Sequence, residues 1–221
     1  MYEIKVKEHL SKAPIFSLSD INQIISNREY SKRFLKRMYE RKEIFKIKKN
    51  LYTFHSNPFL VSTFVVKPSY ISSFSALHYY KLITQIPKEV ICMTPKKSSE
   101  ITFNEKIRFV HTNNFFGFKE IEYENTKIHI AEPEKAIIDS LNIIPISVFE
   151  EAFDSINKEK IIEYIERTKK SSIIKRIGYL LEKQGYDEYK RLKRYINYRY
   201  IPLDPLLRKK HVKNKKWGLL V

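Results

Sequence analysis

Between Ser17 and Phe54 the chain changes its hydrophobic period more than once, and that alternation limits the folds open to it. Ile21, Ile24 and Ile25 recur at the i, i+3, i+4 spacing of one buried helix face. Ser17 and Ser19 both stand where a short side-chain oxygen can satisfy an open N–H of that helix's first turn. Ser26-Asn27-Arg28 then interrupts the pattern, and Asn27 can cap the next helix. That helix is predicted from about Glu29 to Arg41. Ahead of both, residues 2–12 read as a helix with Ile4, Val6 and Leu10 partly buried, stopped near Pro14. After them Ile44–Ile47 and Leu51–Phe54 read as strands joined by Lys48-Lys49-Asn50, since Asn tolerates the left-handed backbone of a tight hairpin.

The helix at 29–41 carries most of the functional content. At roughly 100° per residue, Tyr30, Phe34, Leu35 and Met38 fall on one side. Lys32, Arg33 and Lys36 fall on the opposite side, with Arg28 and Arg37 flanking them. Alone, such a helix is commonly an amphipathic element whose solvated face is basic. Followed by a hairpin with a basic tip and preceded by a helix and a short turn, it matches a winged helix-turn-helix. There the second helix of the motif enters the major groove of DNA and the wing grips the flanking backbone. The expected DNA contacts are Arg28, Lys32, Arg33, Lys36 and Arg37 from the helix, and Lys48, Lys49 and Asn50 from the wing.

Net charge decides between those readings by its placement. The chain carries +17, which favours a polyanionic partner, and coding bias alone would spread that charge evenly. Residues 1–66 hold 13 Lys and Arg against 6 Asp and Glu, residues 67–166 hold 12 against 15, and residues 167–221 hold 17 against 4. An acidic middle thus separates two basic ends. At the C-terminal end Arg191, Arg194, Arg199 and Arg208-Lys209-Lys210 are interleaved with Tyr195, Tyr198 and Tyr200. They read either as a surface that tracks phosphates or as a solvated helix face and a loose tail.

Several classes of function are disfavoured. No apolar run approaches the ~18 residues of a membrane span, and Met1 to Leu10 alternate charged and apolar types, so a cytoplasmic protein with no membrane partner is expected. One cysteine, Cys92, excludes an intrachain disulfide, and its apolar strand makes it a core thiol. Four scattered glycines cannot build a phosphate-cradling loop. The six histidines show no metal spacing, so neither metal nor cofactor is expected. Glu132, Glu134, Lys135 and Asp139 are the densest cluster with a catalytic look, as a metal-dependent nuclease would need. Pro133 places them at the start of a helix, where acidic groups oppose the helix dipole and Lys135 can pair with Asp139 at i+4. No enzyme is expected.

Asn57-Pro58 closes the hairpin, and residues 59–66 read as a further strand or a packed linker. Lys67-Pro68-Ser69 places a boundary between a domain at 1–66 and a second at 67–221. The second reads as α+β. It holds a helix over 69–82, strands at 90–94, 101–103, 107–111, 118–123 and 127–130, then helices at 133–141, 147–154, 158–168, 171–184 and 186–198. A closing strand is expected at 217–221. Gly178, inside a helix with an Ile173, Ile174, Ile177, Leu180, Leu181 stripe, points to a close helix contact. The expected whole is an α+β fold: an N-terminal winged helix-turn-helix, then a mixed α+β domain with a helical C-terminal part.

With these elements in place, the chain resembles the AbiEi family of antitoxins from type IV toxin–antitoxin (abortive infection) pairs. Four stretches carry the likeness: Lys48-Lys49-Asn50-Leu51-Tyr52; Ser69-Tyr70-Ile71-Ser72 through Ser75-Ala76-Leu77; Glu132-Pro133-Glu134-Lys135-Ala136-Ile137-Ile138-Asp139; and Arg176-Ile177-Gly178-Tyr179-Leu180-Leu181-Glu182. Leu203-Asp204-Pro205 and Trp217 lie beyond them. They cover most of the chain in the expected order. Asn50 stands where the family usually has glycine, and the basic stretch 206–216 is heavier than the family's. The resemblance implies an N-terminal domain that represses its own operon and a second domain that counteracts a nucleotidyltransferase-type toxin. Two alternatives stand beside it: a protein-interaction module with DNA binding secondary, and a nuclease using Glu132, Glu134 and Asp139.

Overall fold

The computed structural model describes residues 2–207 and 212–221, so the Arg208-Lys209-Lys210 run lies outside the described residues. The chain is a mixed α+β fold that divides into two compact units. The first comprises Met1–Ile71, Lys88–Asn113 and Glu120–His129. The second comprises Ser72–Pro87, Asn114–Lys119 and Ile130–Val221.

The first unit opens with three helices, α1 (Tyr2–Leu10), α2 (Leu18–Ile25) and α3 (Arg28–Glu40), then a hairpin of β1 (Phe45–Lys48) and β2 (Leu51–Thr53). Phe45 pairs with Thr53, Lys46 with Tyr52 and Lys48 with Leu51, with a bulge between Lys46 and Lys48. Asn50 occupies the turn at φ +59°, the left-handed backbone anticipated for it. Phe16, between α1 and α2, bridges Tyr52 through two backbone hydrogen bonds of 2.8 Å, adding a third strand position. Val6, Phe16, Ile21, Ile25, Phe34, Leu35, Met38 and Ile44 form one core among these elements. Ile4, expected to be partly buried, is instead 63% exposed, because α1 turns Val6 inward.

Residues 59–66 are neither strand nor linker. They form most of α4 (Pro58–Val65), because Asn57 Oδ1 accepts the Phe59 N–H at 3.0 Å and Pro58 takes the first helical position. The helix expected over 69–82 starts late: Tyr70–Ile71 is drawn into the sheet as β3, pairing with Met93 and Cys92, and α5 runs only over Ser73–Tyr79. The sheet continues with β4 (Glu89–Thr94), β5 (Ser99–Phe103), β6 (Glu105–His111), β7 (Phe118–Tyr123) and β8 (Thr126–Ala131), in the order β5-β6-β4-β3-β8-β7. β4 and β6 are parallel, and β5 and β6 form an antiparallel hairpin. The near-continuous burial of β4 explains its unbroken apolar run.

The second unit is mainly helical. It holds α5, α6 (Pro133–Ser140), α7 (Ile146–Phe149) with a 3-10 turn at Glu150–Ser155, α8 (Lys158–Thr168), α9 (Ser171–Lys183) and α10 (Tyr189–Leu192). β9 (Ile201–Pro202), β10 (Lys213–Asn214) and β11 (Leu219–Leu220) form a small sheet in the order β10-β11-β9. The long helix expected at 186–198 is reduced to α10 and one 3-10 turn. Only Leu192 in that stretch is buried, so no apolar stripe sustains a longer helix. Gly178 does make a close contact, with a ring rather than a helix. A Cβ there would lie 2.3 Å from the buried Trp217 indole.

Candidate nucleic-acid interface

Local chemistry fixes the orientation of α3. Ser17 caps α2 in a reciprocal box: its Oγ accepts the Ser19 N–H at 3.2 Å, while Asp20 Oδ2 accepts the Ser17 N–H at 2.6 Å. Ser26 ends α2 in the left-handed conformation, and Asn27 Oδ1 accepts the Tyr30 N–H at 3.0 Å to start α3. Buried Ser31 donates from Oγ to the Asn27 carbonyl at 2.8 Å and lies 3.3 Å from Asn22 Oδ1, so the connection between the two helices is tied from both sides. Phe34, Leu35 and Met38 then point inward. Tyr30, expected beside them, is 38% exposed because Arg37 and Tyr2 cover it instead of the core.

Arg28, Lys32, Arg33, Lys36, Arg37, Lys48, Lys49 and Asn50 are all exposed, but they do not share one surface. An open groove of about 320 Å³ runs between α3 and the hairpin, lined by Lys32, Lys36, Lys46 and Asn50 over an apolar floor of Leu18, Leu35, Tyr39 and Tyr52. Arg28 lines an adjoining cleft of about 300 Å³ with Leu18, Ser19, Asn22 and Asn50. Arg37 lies about 140° around the helix from Lys32. It borders a separate cleft with Tyr2, Tyr30 and Phe34, and its guanidinium carbon sits 5.6 Å from the Tyr30 ring centre. Arg33 is exposed and forms no ion pair among the described residues.

Two features of this face were not read from the pattern. Glu29 and Glu40 share the outward side of α3: Glu29 pairs with Lys32 at 2.7 Å and Glu40 with Lys36 at 3.7 Å. The hydrogen bond from Lys32 holds the Glu29 carboxyl below its ordinary range. Exposed helix pairs of this kind are weak and screened by salt, so a phosphate can displace them. Lys46 is the other addition. It alternates with the inward Ile47 along β1, and that strand alternation is the signal that could have singled it out.

The tip of the hairpin is braced rather than free. Lys48 donates from Nζ to the Val65 carbonyl at 3.2 Å, at the C-terminal end of α4 where a cation opposes the helix dipole. Asn50 Oδ1 accepts the Leu18 N–H at 3.2 Å. Lys49 stands exposed between them. Below the tip, Phe45 meets Phe103 of β5 edge-on at 6.3 Å, and Asn104 Nδ2 donates to the Ser56 carbonyl at 2.6 Å.

No family model matches the chain, and no curated protein matches it in sequence.

Glu132, Glu134 and Asp139 are engaged by the chain's own donors. Glu132 accepts from Lys160 at 2.8 Å and from the Tyr164 hydroxyl. Glu134 Oε1 accepts the Asn157 N–H at 3.0 Å. Asp139 receives Lys135 on one oxygen and the Ser72 hydroxyl on the other at 2.7 Å, with the Lys135 and Asp139 side chains both essentially buried. Among the described residues no group of three or more His, Cys, Asp or Glu is arranged to hold a metal ion, and no helix is long and apolar enough to cross a membrane. Burial pushes the Cys92 thiol up to about 12, as a core position requires.

Proposed function

We propose that the chain is a sequence-specific DNA-binding transcriptional regulator whose N-terminal module is a winged helix-turn-helix. One observation carries this reading: the groove between α3 and the hairpin presents Lys32, Lys36 and Lys46 and, among the described residues, no carboxylate lines it, Glu29 and Glu40 pairing with Lys32 and Lys36 from outside the lining. Low-dielectric walls beside clustered cations raise the local potential for a phosphate backbone. In this reading Lys32, Arg33 and Lys36 face the major groove. Arg28, Lys46, Lys48, Lys49 and Asn50 contact phosphates or the minor groove, Lys48 and Asn50 also holding the wing in place, and Arg37 lies at the edge of the interface.

The resemblance to AbiEi antitoxins extends the proposal to an autorepressor that also counteracts a nucleotidyltransferase-type toxin. That part rests on the four motif stretches alone. Mobility shifts of the chain on the DNA upstream of its own gene test the first role, with Lys32→Ala/Arg33→Ala expected to abolish discrimination from unrelated duplex. Unchanged discrimination in that variant removes the reading. Co-purification with the product of an adjacent gene tests the second.

A further inference from the structure

The second unit carries another basic surface, with a different chemistry from the α3 groove. Residues 189–203 contain five Lys or Arg and no Asp or Glu. Two of the five are used internally. Arg191 closes onto Glu159 at 2.6 Å and Glu166 at 2.7 Å, and Arg194 reaches Glu166 at 3.3 Å. Lys190, Lys193 and Arg199 are exposed and form no ion pair among the described residues. Lys213 of β10 joins them, its Nζ 5.7 Å from the Tyr200 ring centre.

This surface is built on a fixed backbone. The Asn197 N–H donates to Ser171 Oγ at 3.0 Å, at the first residue of α9. Buried Lys175 of the same helix donates to Asn197 Oδ1 at 2.9 Å and to the Arg199 carbonyl. The Ile201 N–H donates to the Gly218 carbonyl at 3.2 Å. Between these anchors Tyr198 is 88% exposed and Tyr200 42% exposed. Large aromatic rings held outward beside cations that form no ion pair among the described residues match a ligand that is both anionic and flat-faced. Duplex DNA satisfies only the first condition, since its base faces are stacked inside. Single strands satisfy both, because phosphates meet the cations and unstacked bases meet the rings.

We infer that Tyr198, Tyr200, Arg199, Lys193 and Lys213 form a binding surface for single-stranded nucleic acid. The inference is independent of the α3 reading, and the test separates the two. Fluorescence anisotropy of the full chain with a labelled single-stranded DNA of about 16 nucleotides reads the affinity. Tyr198→Ala is expected to weaken binding at least about fivefold, the lower end for loss of one base–aromatic stack. Arg199→Gln/Lys213→Gln is expected to weaken it and to flatten the slope of log K against log salt by about 0.7 per lost phosphate contact. Lys32→Ala/Arg33→Ala is expected to leave it unchanged. Absence of binding by the unmodified chain overturns the inference, as does equal binding by Tyr198→Ala and the Arg199/Lys213 variant. Equal loss in the Lys32/Arg33 variant, or displacement by unlabelled random duplex as readily as by unlabelled single strand, overturns it too. Because Tyr198, Arg199 and Lys213 are exposed, unchanged thermal melting is expected of each variant.

Discussion

The Asn50 side-chain carbonyl accepts the backbone N–H of Leu18 at 3.2 Å, joining the hairpin tip to the first turn of α2. The same residue holds φ +59° in the turn. A residue expected from its position to contact a partner therefore has two structural duties, and it also lines the basic groove.

Those duties separate on substitution. Asn50→Gly keeps the left-handed turn and loses only the bond to Leu18, a loss of about 0.5–1.5 kcal/mol. Asn50→Ala loses the bond and adds left-handed strain of about 1–2 kcal/mol. Urea denaturation is expected to rank the unmodified chain above Asn50→Gly, and Asn50→Gly above Asn50→Ala. An alanine variant as stable as the glycine variant would show that the turn is not held in this conformation.

Gly178→Ala ordinarily favours a helix by about 1 kcal/mol. Here the added methyl meets the Trp217 ring, whose Nε1 is tied to Glu182, so the ring has little room to retreat. A net destabilisation of about 1–3 kcal/mol is expected. In a double-mutant cycle with Trp217→Leu, the penalty for alanine should shrink, and an undiminished penalty would locate the strain elsewhere.

The buried Lys135–Asp139 pair predicts strong non-additivity. Lys135→Met removes the cation that pairs with the buried Asp139 carboxylate, at a cost of about 3–5 kcal/mol. Lys135→Met/Asp139→Asn should be more stable than Lys135→Met alone, because the buried carboxylate charge is removed together with the cation that pairs with it. Chemical denaturation of the two variants decides it, and the reverse order contradicts the ion-pair account.

Acid should destabilise the second unit through Glu166 and Glu132. The hydrogen bond from Arg191 holds Glu166 below the ordinary 4.5. For Glu132, desolvation raises the value, and the hydrogen bonds from Lys160 and Tyr164 outweigh it, so it too is lowered. Groups depressed by folding contribute stability that is present above their unfolded values and lost as pH falls through their folded ones. Melting temperature is therefore expected to fall as pH drops below 4.5, and Glu166→Gln should flatten that descent. An identical acid limb in the variant would assign the loss to other carboxylates.

Much of the fold was legible because local signals agreed with tertiary ones. Ser17 and Asn27 cap as their types predict, β7 begins and ends at Phe118 and Tyr123 as its alternation predicts, and Lys135 finds Asp139 one turn on. The misreadings occur where distant partners decide. Tyr70 and Ile71 leave a helical pattern because β4 offers them a strand edge, and residues after Tyr195 leave theirs because α9 claims Asn197. The same holds for the candidate site. Periodicity identified a basic face on α3, but could not show that Arg37 folds over Tyr30, that Lys48 reaches α4, or that Lys46 lines the groove from across the hairpin.

The α3 face and hairpin are proposed to read duplex DNA, and the salt dependence of binding to a duplex selected from a random pool by the full chain tests this most directly. The selection is expected to yield one enriched sequence. Its affinity should fall steeply with salt, the slope flattening by about 0.9 for each phosphate contact removed, as in Lys46→Ala or Lys49→Ala. Lys32→Ala/Arg33→Ala should erase the preference for that sequence while the melting temperature holds. A pool that yields no preferred sequence, or variants that bind it with the original affinity and slope, would contradict the account.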